Sequence, residues 1–194
     1  MMRKQSLLFL IGISLFLSSC GPTSNLFVRD ADLAKKTKKL AVLPFQDANA
    51  RHAEDTIVQT NALTLKFLQH AQAELAGRYE FISQDQIMQE LKKMGFEGYD
   101  PNKSMWKQAF VQTTGYTIPQ AVQVGKNLGA DAILLVTVAG SQQNPVFSLS
   151  VRMLDTKNGK VIVAGSAASG AGLSFTPWNA PMKKLVSRIA REVP

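Results

Sequence analysis

Ala132-Ile-Leu-Leu-Val-Thr-Val138 decides the fold. Its apolar run does not alternate, is rich in branched side chains, and is bounded upstream by Gly129-Ala-Asp131. Such a run predicts a central strand covered on both faces. Downstream, Phe147, Leu149, Val151 and Met153 alternate with Ser148, Ser150 and Arg152, the period-2 pattern of a half-buried strand. Asp155-Thr-Lys-Asn158-Gly159 is a hairpin signal, and Lys160 to Ala164 is its returning strand. Upstream, Lys39-Leu-Ala-Val-Leu-Pro-Phe45 is nearly continuous in apolar residues and predicts a buried strand that ends at Pro44. Tyr79-Glu-Phe-Ile82 predicts a short one.

Helical periodicity fills the intervals. Glu54 to Ala76 places Ile57, Asn61, Leu65, Leu68 and Leu75 at three- and four-residue steps, with Gly77 as the expected C-cap. Ser83-Gln-Asp-Gln86 matches a capping box and opens a helix with Ile87, Leu91 and Met94 on one face, closed by Gly95. Phe96 to Tyr116 predicts a loop with one short helix. Thr117-Ile-Pro-Gln120 starts another helix with proline in its first turn, and Ile118, Ala121, Val122, Gly125 and Leu128 form its apolar face. After Pro177, Met182, Leu185, Val186, Ile189 and Val193 share a stripe. The order β-α-β-α-(α)-α-β-β-β-α predicts an α/β (α+β) fold. It is a single two- or three-layer domain with a mixed five-stranded sheet packed by helices.

The amino terminus reads as an address. Arg3 and Lys4 precede an apolar stretch from Leu7 to Leu17, shorter than the ~20 residues a membrane-spanning helix needs. Leu17-Ser18-Ser19-Cys20-Gly21 follows and resembles the bacterial lipobox. That resemblance implies cleavage before Cys20, its lipidation with acyl chains of the palmitate type, and, with Gly21 after it, retention in the outer membrane facing the periplasm. Several acyl chains hold far better than one. The expected layout is a signal peptide over 1–19, a lipidated flexible tether over 20–37 and a folded domain over 38–194.

Composition removes much chemistry. The 194 residues carry 22 Lys+Arg, 14 Asp+Glu, two His and one Cys, a net charge of +8. Loss of Arg3 and Lys4 with the signal lowers it to +6. A single cysteine excludes an internal disulfide and a Cys-rich zinc site. Lys35, Lys36, Lys38 and Lys39 form a basic cluster, expected close to the membrane on anionic headgroups or on peptidoglycan carboxylates.

Lys39–Phe45, Ala121 through Gly129-Ala-Asp131-Ala-Ile133, and Val151 through Asp155-Thr-Lys-Asn-Gly159-Lys-Val161, taken in order, resemble the CsgG-like superfamily of envelope lipoproteins. Its LpoB-like and TolB amino-terminal-domain-like members are included in the likeness, which covers roughly residues 38 to 170. The resemblance implies a non-catalytic α/β scaffold that binds other proteins or assembles into rings. Channel members add amphipathic hairpins, and a membrane strand needs ~10 alternating residues. Only Val146–Leu154 alternates cleanly, and its mate Lys160–Ser169 is rich in Gly, Ser and Ala, so a meander is expected rather than a pore.

Catalytic signatures are missing. Gly170-Ala-Gly172 lacks the third glycine of a dinucleotide loop, since Phe175 stands there. Gly125-Lys126 is followed by Asn127 and lies inside a predicted helix, unlike a phosphate loop. His52-Ala-Glu54 lacks the cysteine pair of a zinc deaminase. No enzyme activity, cofactor, metal or nucleic-acid partner is expected. The candidate contact residues are aromatic: Trp106, Phe110, Tyr116, Phe175 and Trp178. The expected partners are the lipid bilayer through Cys20 and either an envelope protein or further copies of the chain. The expected role is a non-enzymatic assembly or adaptor subunit in secretion, cell-wall synthase activation or surface-appendage assembly. An oligomeric secretion-channel component and a small-ligand-binding periplasmic protein are the alternatives.

Overall fold

The structure, a computed structural model, describes residues 23–48, 53–96, 116–141, 144–169 and 179–194. Seven strands form one mixed sheet: β1 (Thr23–Val28), β2 (Lys39–Val42), β3 (Gln46–Asp47), β4 (Glu80–Phe81), β5 (Ala132–Ser141), β6 (Asn144–Asp155) and β7 (Val161–Ala168). Among the described residues five helices accompany them: α1 (Ala31–Lys36), α2 (Ala53–Leu75), α3 (Gln84–Lys93), α4 (Ile118–Asn127) and α5 (Asn179–Glu192). The spatial order is β1-β7-β6-β5-β2-β4, with β3 paired to β5 beyond the end of β2. β5 is the seam. It runs parallel to β2 and β3 on one side and antiparallel to β6 on the other.

Both faces of β2 are buried. Leu40 and Val42 pack on the side covered by α2 and α5, around Phe67, Leu68, Leu185 and Ile189. Ala41 and Leu43 pack on the side covered by α3 and α4, around Ile87, Leu91, Ala121 and Val124. This explains the unbroken apolar runs of β2 and β5. Farther along the sheet, among the described residues, helices cover only the first of these faces, so β6 alternates. The domain therefore has three layers at its parallel end and two at its antiparallel end.

Local chemistry sets the element ends. The capping boxes at Ser83/Gln86 and Thr117/Gln120 are both formed. Gly95, Gly129 and Gly159 adopt φ of 85°, 65° and 72°, conformations that suit glycine. In the β6–β7 turn the Asp155 carboxylate accepts from Asn158 N at 3.1 Å, and Gly159 N donates to Asp155 O at 2.9 Å. Met182, Leu185, Val186 and Ile189 on α5 and Val193 just past its end are all buried.

Several expectations need correction. The sheet has seven strands, not five, because β1 and β3 join it. β1 and α1 occupy most of the span expected to be a flexible tether over 20–37. β7 presents an edge of unpaired backbone groups, and Thr23–Val28 satisfies it in antiparallel register, Thr23 opposite Ala168 and Val28 opposite Val163. Leu26 drops into the space above Gly165, where an added Cβ would come within 2.7 Å of Leu26 Cδ1 and 2.8 Å of Asn25 O. Asp30 then caps α1 by accepting from Leu33 N at 2.9 Å.

The buried stripe of α2 is also rotated from the expected one. Leu65 is 56% exposed, whereas Thr64, Phe67, Leu68, Ala71 and Leu75 face inward. Thr64 is tolerated there because its hydroxyl accepts from Phe45 N at 2.9 Å. Gly77 does not take a left-handed conformation, and α2 stops at Leu75, whose carbonyl accepts from Arg78 N and Tyr79 N. On α4, Val124 replaces Ile118 in the core, leaving Ile118 40% exposed. The short helix expected near Trp106 lies outside the described residues.

Candidate interaction surface

Among the described residues no helix covers the face of the antiparallel half turned away from α2 and α5, and we call it the open face. Strand register aligns its side chains in rows. Asn25, Ser166, Ser150 and Thr137 stand side by side across β1, β7, β6 and β5. Thr23, Ala168, Ser148 and Ala139 form the row below, and Phe27, Ala164, Arg152 and Leu135 the row above. Adjacent strands lie ~4.8 Å apart, so one row spans about 14 Å. Asn25, Ser150, Arg152 and Ser166 are exposed, and Phe27 is 60% exposed. Leu135 ends its row where α3 and α4 begin to cover the sheet, and it belongs to their core.

This surface is built from small residues and hydroxyls, with Arg152 contributing a charge and Phe27 an exposed ring. Small side chains let a partner approach the sheet closely. The hydroxyls and the Asn25 amide donate and accept without the desolvation cost of ions. An exposed aromatic on such a surface is the usual anchor of a protein contact. Arg188 on α5 fastens this edge from behind, donating to Ser24 O while its guanidinium pairs with Glu192. The pairing holds the Glu192 carboxylate below its ordinary range and raises the guanidinium.

Of the aromatic candidates, Trp106, Phe110, Phe175 and Trp178 lie outside the described residues, as do Cys20 and its lipobox residues Leu17, Ser18 and Ser19. Tyr116 is placed, and it turns inward. Its ring meets Phe96 edge-on at 5.7 Å, its hydroxyl donates to Pro44 O at 2.6 Å, and its carbonyl accepts from Gln46 Nε2. Burial raises the pKa of its phenol far above the ordinary tyrosine range. The ring ties the α3–α4 side of the core to the β2–β3 corner and leaves little for a partner to grip.

Lys35, Lys36, Lys38 and Lys39 gather at the opposite end of the sheet from Thr23. β2 starts there, and Lys38 N and Lys39 N both donate to Asp131 Oδ2 at 2.9 Å. Lys39 also pairs with Glu80 at 3.5 Å, an exposed contact of small energetic weight. Among the described residues no group of three or more His, Cys, Asp or Glu is arranged to hold a metal. No described helix is long and apolar enough to cross a membrane.

Sequence reasoning marked Ser148, Ser150 and Arg152 as one polar side of a strand but missed Asn25, Phe27 and Ser166. The available signal was that alternation itself: a polar strand face needs no helix over it, and the neighbouring strands supply the remainder of the surface.

No family model matches the sequence, and no curated protein matches it. Solved structures do. The dodecamer of PelC from Paraburkholderia phytofirmans superposes with a TM-score of 0.52 at 12% identity, over 87% of this chain and 97% of that one. The chain is similar in fold to PelC. Lipoprotein GNA1162 from Neisseria meningitidis aligns with a TM-score of 0.48 at 17% identity, over 80% and 99% of the two chains. The LpoB C-terminal domain from Salmonella enterica aligns at 0.40 and 16%, over 72% and 94%.

Proposed function

We propose that the protein is a lipoprotein anchored through Cys20 in the outer membrane and facing the periplasm. It would act as a non-enzymatic assembly or adaptor subunit of a cell-envelope system. The observation that carries this reading is the open antiparallel face bearing Phe27. It is a surface suited to protein contact. β1 begins at Thr23, three residues after Cys20. At ~3.3–3.6 Å per extended residue, the anchor holds the Thr23 end of the sheet within about 11 Å of the lipidated residue. In this reading the domain is held against the membrane in place of the flexible tether expected over 20–37.

A second reading is favoured by one observation. The solved PelC is a dodecamer, and a fold of this kind can present its open face to another copy of itself, as an oligomeric secretion component requires. Secretion, cell-wall synthase activation and appendage assembly are the settings proposed for either reading.

Palmitate labelling tests the anchor. The chain is expected to incorporate label and to pellet with membranes, and Cys20→Ala to lose both. Unchanged labelling and retention in that variant would remove the anchor. Sizing of the detergent-purified chain separates the two readings: a monomer supports the adaptor, and a closed multiple of the chain supports self-assembly.

A further inference from the structure

The end of the sheet away from Thr23 is assembled from three separate segments. Arg29 N and Asp30 N donate to Ile162 O at 2.8 and 3.2 Å, which ties the β1–α1 turn to β7. Lys38 N and Lys39 N donate to the Asp131 carboxylate, which ties the start of β2 to the start of β5. Thr156 N donates to Asp131 O at 3.0 Å, which brings in the β6–β7 turn. Arg29, Lys35, Lys36, Lys38, Lys157 and Lys160 are therefore neighbours on one end, although they are scattered in sequence. All six are exposed, and none makes an ion pair among the described residues.

The acids of this end are occupied. Asp30 caps α1, Asp131 accepts the two backbone N–H groups, and Asp155 is buried and holds its turn through Asn158 N. Glu80 faces Lys39. Of the acids on these segments only Asp32 is exposed without such a role. Asp30, Asp131 and Asp155 are thus engaged by backbone donors, Glu80 and Asp32 stay at the surface, and the six cations all face outward.

We infer that this end is a docking surface for a carboxylate-bearing polymer, the cell-wall glycan with its peptide carboxylates. Five of the six cations are lysines, Lys35, Lys36 and Lys38 at the α1–β2 junction and Lys157 and Lys160 in the β6–β7 turn. Ammonium groups on flexible stems suit a repeating, loosely ordered anion, whereas a clamp for phosphate favours the planar fork of arginine. Position decides between wall and membrane. Thr23 shares a row with Ser148, and from Ser148 to Asp155 the strand climbs about 24 Å at ~3.4 Å per residue. With Cys20 in the bilayer, the lysines point away from the headgroups. This orientation rests on the anchor reading, while the charge arrangement does not.

The test is co-sedimentation of the detergent-purified full chain with isolated cell-wall sacculi, at low and raised salt. Expected results are binding that weakens as salt rises and about a tenfold loss in K35Q/K36Q/K157Q/K160Q. K92Q/K183Q, on other helices, should stay within about twofold. Sacculi with amidated carboxylates should not bind. Matching thermal melts of the variants would exclude misfolding. The proposal is overturned if the fourfold variant binds as the parent does or if amidated sacculi bind equally. It is also overturned if the lysines mediate binding to anionic lipid vesicles or to an acidic protein but not to sacculi. Cys20→Ala separates the two readings: sacculus binding that persists while membrane retention is also unchanged removes the anchor and leaves the polymer surface standing.

Discussion

The two halves of the sheet make opposite use of the same backbone geometry. In the parallel half, β2 and its part of β5 lie between two helical layers, and every position from Leu40 to Leu43 is buried. In the antiparallel half, β6 and β7 bury one face on α5 and show the other to solvent. A parallel crossover brings a helix back over the sheet, whereas a tight hairpin such as Asp155–Gly159 brings none. The uncovered face is thus a consequence of connectivity, and it is the region free to evolve a contact.

The contrast breaks first on buried side chains. Leu40→Ala in the covered half is expected to cost about 2–5 kcal/mol in a chemical-denaturation midpoint experiment. A loss below about 1 kcal/mol would mean that the two helical layers do not close on β2. Gly165→Ala probes the junction of the open half. Its new methyl would meet Leu26 and the Asn25 carbonyl, so a loss of about 1–3 kcal/mol is expected, with faster hydrogen exchange confined to β1 and β7. Uniform exchange changes would show that β1 is not a separable edge. The smallest effect belongs to the open face, where Ser150→Ala is expected to change stability by less than about 0.5 kcal/mol. A larger loss would mean that the hydroxyl row is structural.

Legibility in the sequence followed this same division. Where a strand is buried on both faces, as in Ala132–Val136, the apolar run is diagnostic by itself. Where it is half-buried, as in Phe147–Met153, alternation shows both the strand and its face. Local capping at Ser83 and Thr117 and the Asn158-Gly159 turn were readable because the chemistry involved is contained within a few residues. β1 was not readable, since Thr23-Ser-Asn-Leu-Phe-Val28 gains its structure from pairing with residues about 140 positions downstream. The phase of α2 was misread because Leu65 is apolar yet exposed, while Thr64 is polar yet held by Phe45 N. The candidate surface was half legible. The residues of β6 announced a polar face, but Asn25, Phe27 and Ser166 join it only through register. The lysine cluster was visible in sequence, whereas its distance from the Thr23 end of the sheet follows from strand direction.

The central claim is that the open antiparallel face, and not the α2 side, makes the proposed contact with a protein partner. Site-specific photo-cross-linking in cells compares a photoreactive residue at Ser150, on that face, with one at Gln72, exposed on α2. The account predicts a discrete adduct at Ser150, of one mass and lost in Phe27→Ser, and none at Gln72. An adduct at Gln72 alone, or a Ser150 adduct indifferent to Phe27, would contradict it.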